Sequence, residues 1–300
     1  MVIQPIQRGQ TIGIVTPARK VDDQLLLKGC EVIKSWGLNV KMGKHCFSNK
    51  PNYLAASDEE RLDDMQRMLD DPSVVAIFCA RGGYGTTRIV DRLNFDNFLK
   101  KPKWIVGFSD ITALHLKLHE LGIESIHGCM PTQYSKPEYK ESVDSLIQIL
   151  FEGKDSIIEV PSNKRNKQGK ATGKIIGGNL SLVVDSLGTD GEVDTNGKIL
   201  ILEEIDEPLY KIDRMLTQLK RAKKFSHLSG LVIGHMTDIK DTELPFGQSI
   251  EELVLDKIES YQYPVAFDFP IGHQAPNIAW RYSSMATLAA EADRAMLTFG

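Results

Sequence analysis

The apolar run Trp104-Ile105-Val106, followed at once by Gly107-Phe108-Ser109-Asp110-Ile111-Thr112, leaves this chain few folds to choose from. The run reads as a buried strand. Past the turn a helical pattern begins at Asp110, with Ala113, Leu114, Leu118 and Leu121 at three- and four-residue steps and Gly122 to stop it. A strand that passes through a tight turn into a helix is the repeating step of an open parallel sheet. The turn holds its serine out in front of the sheet edge, beside helix amides that have no partner inside the helix. Such amides can stabilise the negative charge that forms when serine attacks a carbonyl. The second glycine of the G-x-S-x-G elbow is absent, because position 111 is Ile. From the turn alone, Ser109 is therefore either a nucleophile or a plain helix N-cap.

The flanking sequence repeats the pattern. Thr11–Val15 reads as a strand, then Asp22 or Asp23 caps a helix carrying Leu26, Cys30 and Ile33, closed by Gly37. Leu38–Met42 is a short strand. Ser57-Asp58-Glu59-Glu60 is a capping box that opens a helix with Leu62, Met65 and Leu69 on one face. Val74–Cys79 is continuously apolar, as a strand buried on both faces must be. Arg81-Gly82-Gly83-Tyr84-Gly85 follows, with a helical stretch to about Leu93, and Ser125-Ile126-His127 is a further strand. This alternation predicts an α/β domain over 1–135, with loops gathered at the C-terminal strand ends. Residues 136–170 read as a connecting segment that carries one helix and the basic run 162–170, taken as a solvated loop or a wall of the cleft. From 171 to 300 strands dominate: Ile199–Leu202, Leu231–Ile233, Val265–Phe267 and Ala286–Leu288, with a helix after Pro208.

Composition narrows the function. With 42% hydrophobic and 25% charged residues, the chain has the balance of a soluble globular protein. A net charge of −4, with both signs interspersed, argues against a nucleic-acid partner. No apolar run is long enough to span a membrane, and Met1–Gln10 lacks the apolar core of a signal peptide, so a cytoplasmic protein is expected. Cys30, Cys46, Cys79 and Cys129 have no metal-type spacing and read as small core residues.

A nucleophilic serine needs a base, and the base needs an acid to orient it. Of the histidines, His115 and His119 read as helix-surface residues, since Leu116 stands where a zinc-protease motif would need Glu. His127 and His235 follow apolar strands and read as hydrogen-bonded core. His273 lies in the loop Phe269-Pro270-Ile271-Gly272-His273-Gln274, where a rigid scaffold often presents function. Glu203 ends the apolar run 199–202 and needs a partner; Glu204 and Asp206 compete for the same role. Gly82-Gly83 can form an anion nest or supply one amide of an oxyanion hole, but no P-loop Lys-Ser/Thr follows.

Taken together and in order, Arg81-Gly82-Gly83-Tyr84-Gly85, Gly107-Phe108-Ser109-Asp110-Ile111-Thr112, Gly177-Gly178-Asn179-Leu180, Leu202-Glu203-Glu204 with Tyr210-Lys211-Ile212-Asp213-Arg214, and Gly272-His273 resemble the LD-carboxypeptidase family of serine peptidases, which includes the microcin C self-immunity peptidases. The resemblance implies a flavodoxin-like N-terminal domain and a β-rich, barrel-like C-terminal domain, with the site in the cleft between them. It implies a triad of Ser109, Glu203 and His273, and an oxyanion hole from the backbone N–H groups of Gly83 and Asp110. Arg81, with Gly82 and Tyr84, becomes a candidate for binding the substrate carboxylate. No metal or cofactor is implied. The expected enzyme is a cytoplasmic homodimer that removes the terminal D-alanine from murein tetrapeptide during cell-wall recycling. Two other readings are a same-fold peptidase acting on a peptidyl-nucleotide toxin, and a non-catalytic phosphate- or nucleotide-binding protein. After Asn277 the chain departs from the family's usual Leu-Pro-x-Gly-like continuation and reads Ile278-Ala279-Trp280-Arg281-Tyr282.

Overall fold

The structure, a computed structural model, describes residues 3–47 and 52–300. The chain divides into two compact units, residues 1–155 with 276–282, and residues 156–275 with 283–300.

In the first unit, β1 (Thr11–Val15), α1 (Asp23–Ser35), β2 (Asn39–Met42), α2 (Asp58–Asp70), β3 (Val74–Cys79), α3 (Asp96–Lys100), β4 (Trp104–Gly107), α4 (Thr112–Glu120), β5 (Ser125–His127) and α5 (Lys140–Glu152) follow one another. The strands pair in parallel in the order β2-β1-β3-β4-β5, the flavodoxin-like order. The order reverses between β1 and β3, so the loops after those two strands meet at the switch point where such sheets hold ligands. Local chemistry sets the helix starts. Asp22 accepts the Leu25 N–H at 2.9 Å, and Ser57 with Glu60 closes the capping box of α2. The helical stretch expected up to Leu93 is instead two short 3-10 turns, Thr86–Arg88 and Val90–Arg92. The β-branched residues Thr86, Thr87 and Val90 restrict χ1 there and weaken a regular α-helix. All four cysteines are buried and free.

In the second unit, β6 (Ile158–Pro161), β7 (Gly169–Asn179), α6 (Leu180–Asp185), β8 (Lys198–Ile205), α7 (Leu209–Arg221), β9 (Gly230–Thr237), α8 (Ile250–Ile258) and β10 (Val265–Ala266) come first. The chain then returns to the first unit as β11 (Trp280–Tyr282), an antiparallel edge strand on β5. It ends in the second unit with β12 (Met285–Ala290) and β13 (Arg294–Phe299). The second sheet has the order β10-β9-β8-β7-β12-β13-β6. Strands β7 to β10 are parallel, and β12, β13 and β6 extend the sheet, each antiparallel to its neighbour. The link from β6 to β7 starts on one edge strand and pairs Lys167 with Val265 on the other, through two 3.0 Å backbone bonds. This curls the sheet towards closure and gives it a barrel-like form. The basic run is therefore part of this seam, and its last two residues belong to β7. No helix among the described residues is long and apolar enough to cross a membrane.

Candidate active site

Ser109 stands between β4 and α4 with φ +64°, in the left-handed region. A serine there is uncommon, and such backbone strain collects at functional sites. It is not a helix N-cap. Phe108 holds the cap position, Ser109 opens a 3-10 turn over Ser109–Ile111, and α4 proper starts only at Thr112. The Arg81–Gly85 loop lies directly against this turn: a Cβ on Gly82 would sit 2.9 Å from the Ser109 Cβ and 3.1 Å from its Oγ. Only glycine allows that approach. Asp110 is buried, and its Oδ2 accepts the Thr86 N–H at 2.8 Å, which ties the two loops together. Burial pushes the Asp110 carboxyl upward, and the bonds to Thr86 act the other way. The Asp110 N–H lies in the first turn of the 3-10 segment, where backbone donors have no partner within the helix.

Arg81 is half-buried and donates weakly to the Lys20 carbonyl at 3.4 Å. No carboxylate pairs with it among the described residues. Tyr84 is exposed.

In the second unit, Glu203 on β8 is fully buried, and its Oε2 lies 2.7 Å from the His273 Nδ1. Its neighbours are excluded from this role by their surroundings. Glu204 accepts from Asn179 Nδ2 at 2.8 Å, Ser181 N at 2.8 Å and Ser181 Oγ at 2.6 Å, and so anchors the start of α6. Asp206 is exposed and pairs with Lys240 at 3.1 Å. The register between β8 and β9 shifts between Leu202 and Glu204, an irregularity of the kind that re-aims side chains beside sites. Gly272, with φ +128°, lets the His273 loop come close: a Cβ there would lie 2.7 Å from Glu203 Oε2. Burial alone would lower the His273 pKa. The Glu203 charge and hydrogen bond outweigh it, and the net shift is upward. His235, half-buried nearby, accepts the Gln274 N–H at 3.3 Å and so braces the same loop. Burial moves its pKa down.

Sequence reasoning went wrong at His115, which is buried in the first unit rather than on the helix surface. Its Nε2 lies 2.9 Å from the Gly107 carbonyl and its Nδ1 2.7 Å from Ser125 Oγ. Burial takes its pKa down to about 4. The signal was present, because Ile111, His115 and Leu118 share one helical face. Arg61 was missed altogether. It sits among acids in the sequence, yet it is buried with Met65 and Met68, at the i, i+4 and i+7 positions of α2. His45, Asp63 and Asp64 are the one cluster with metal-ligand chemistry among the described residues. Asp64 accepts the Lys44 and His45 N–H groups, and Asp63 Oδ2 pairs with Arg67.

The chain matches the LD-carboxypeptidase N-terminal domain over residues 12–128 and the LD-carboxypeptidase C-terminal domain over residues 172–288. It is 34% identical to the probable murein peptide carboxypeptidase of Bacillus subtilis (strain 168), over 98% of this chain and 93% of that protein. It is 30% identical to the murein tetrapeptide carboxypeptidase of Pseudomonas aeruginosa, over 92% of each. The crystal structure of muramoyltetrapeptide carboxypeptidase from Oxalobacter formigenes superposes with a TM-score of 0.86 at 27% identity, covering 97% of this chain and 99% of that one. The chain belongs to the LD-carboxypeptidase family and is a serine-type hydrolase of that class.

Proposed function

We propose that this enzyme releases the terminal D-alanine from murein tetrapeptide, with Ser109 as nucleophile, His273 as general base and Glu203 as the acid that orients it. The observation that carries the reading is the buried Glu203–His273 bond of 2.7 Å, in a family where a strained serine turn such as that of Ser109 has an evident use. His273 Nε2 takes the Ser109 proton as Oγ attacks the carbonyl between the L-centre and D-alanine. The oxyanion is held by the N–H groups of Gly83 and Asp110, each worth about 3 kcal/mol by analogy with the loss of one such donor. His273 then gives its proton to the leaving amine. A water, deprotonated in turn by His273, attacks the acyl-enzyme, and Ser109 leaves with its proton restored.

Glu203 fixes which nitrogen acts. With Nδ1–H donated to the carboxylate, Nε2 carries the lone pair that acts as base. Arg81, which has no carboxylate partner among the described residues, would take the substrate's terminal carboxylate. Replacing Arg81 by Ala should raise KM about tenfold or more with little change in kcat, read from initial rates over a substrate series. The same reading makes the protein a cytoplasmic homodimer of cell-wall recycling; the relatives named for murein peptides support the murein substrate.

The test is incubation with a defined LD-tetrapeptide and mass detection of the products. Loss of one alanine from the D-terminus supports the proposal. An intact tetrapeptide, with hydrolysis of a peptidyl-adenylate analogue instead, would move the substrate to the peptidyl-nucleotide class.

A further inference from the structure

One peptide group in the first unit is gripped at both ends. The carbonyl of Gly85 accepts from Arg61 Nη1 at 2.8 Å, and the N–H of Thr86, the other end of the same planar unit, donates to Asp110 Oδ2 at 2.8 Å. Arg61 Nη1 also donates to the Pro17 carbonyl, just past β1, and Nη2 donates to Asp58 Oδ1 at 2.5 Å. The guanidinium is thus buried at the switch point between the loops that follow β1 and β3. Burying such a charge is costly, and an apolar side chain of similar size often gives a more stable core. What an apolar side chain cannot do is bond two carbonyls from separate loops. The Arg61 charge also favours the ionised form of the buried Asp110, the form that accepts the Thr86 N–H.

We propose that Arg61 is a positioning residue for the oxyanion donors. It fixes the Gly85–Thr86 peptide, which with Asp110 sets the Arg81–Gly85 loop against the Ser109 turn. The proposal rests on the function reading above, since it takes the Gly83 and Asp110 amides as those donors. A group that acts through the oxyanion donors weakens transition-state stabilisation first, so the loss falls mainly on kcat.

The experiment compares Arg61→Ala, Arg61→Lys, Arg92→Ala and Ser109→Ala on a defined LD-tetrapeptide, with thermal melts to establish the folded fraction. Arg61→Ala is expected to lose about 100-fold or more in kcat per folded molecule, with a smaller rise in KM because Arg81 lies on the same loop. Guanidinium ion at millimolar concentration should restore part of that loss, and sodium chloride at equal ionic strength should not. Arg61→Lys, with one nitrogen in place of a planar fork, should be intermediate. Arg92→Ala, which removes only a surface pair with Glu59, should behave as wild type. Wild-type kcat in a folded Arg61 variant, or a loss confined to KM, overturns the proposal. So does a folded Arg61→Ala that guanidinium leaves unimproved. If Arg61→Ala does not fold, a wild-type kcat in Arg61→Lys overturns it equally. Turnover that survives Ser109→Ala instead defeats the function reading itself.

Discussion

Replacing Ser109 by alanine is expected to lower kcat on an LD-tetrapeptide by about 10⁴-fold or more, because a nucleophile has no substitute in a covalent mechanism. The fold should be unaffected. Replacing the same residue by glycine sharpens the test. Ser109 is held at φ +64°, where a side chain costs about 1–2 kcal/mol. Ser109→Gly should therefore be as inactive as the alanine variant and more stable by about 1 kcal/mol, less whatever glycine adds to the freedom of the unfolded chain. A melting temperature a few degrees above wild type, in an inactive protein, would show that strain at this turn serves catalysis and not folding. A glycine variant less stable than the alanine variant would mean the turn is not strained.

Glu203→Gln should be the next most damaging change. The amide is close in shape to the carboxylate, but it presents either a donor or a neutral acceptor to His273 Nδ1. It therefore loses both the tautomer control and the charge that stabilises imidazolium. A fall of about 10⁴-fold in kcat is expected, by analogy with the same change in the serine protease triad. The pH profile supplies a second reading. As the proposed base, His273 must be neutral to act, so activity is expected to fall as pH drops through its pKa, which lies above the ordinary histidine value because the Glu203 charge and bond outweigh burial. In Glu203→Gln only burial remains dominant, and the acid limb of kcat/KM should move to lower pH. The stability linkage has a definite sign. A histidine raised in the folded state adds stability that is fully present below its unfolded pKa. That stability is lost as pH rises through the folded value. Removing the Glu203 charge should therefore cost more stability at pH 5 than at pH 9. An acid limb that stays in place would mean that some other group titrates.

Much of this was legible from the residues. The continuous apolar runs at 74–79 and 104–106 read as buried strands, and the capping box at Ser57 fixed a helix start to the residue. What failed did so for physical reasons. Trp280-Arg281-Tyr282 is too short to show a period, and it pairs with β5 across more than 150 residues of sequence, a partnership no local pattern encodes. Its rings stack on His127 and His115, which is how a helix histidine between leucines comes to be buried. Arg61 escaped notice because charge argues for solvent, and its burial is offset by the backbone carbonyls of two distant loops together with Asp58. The choice among Glu203, Glu204 and Asp206 was open for a similar reason. Glu203 and Glu204 are neighbours on β8 that face opposite ways, Asp206 lies just past the strand, and only what each one meets tells them apart.

The central claim is that His273 activates Ser109 as the nucleophile. It is tested most directly by treating the protein with a fluorophosphonate, which phosphonylates activated serines, and mapping the adduct by peptide mass spectrometry in wild type and in His273→Ala. The account predicts one adduct, on Ser109, formed at least about 100-fold more slowly in the His273 variant. Labelling at any other serine, or an undiminished rate without the imidazole, would contradict it.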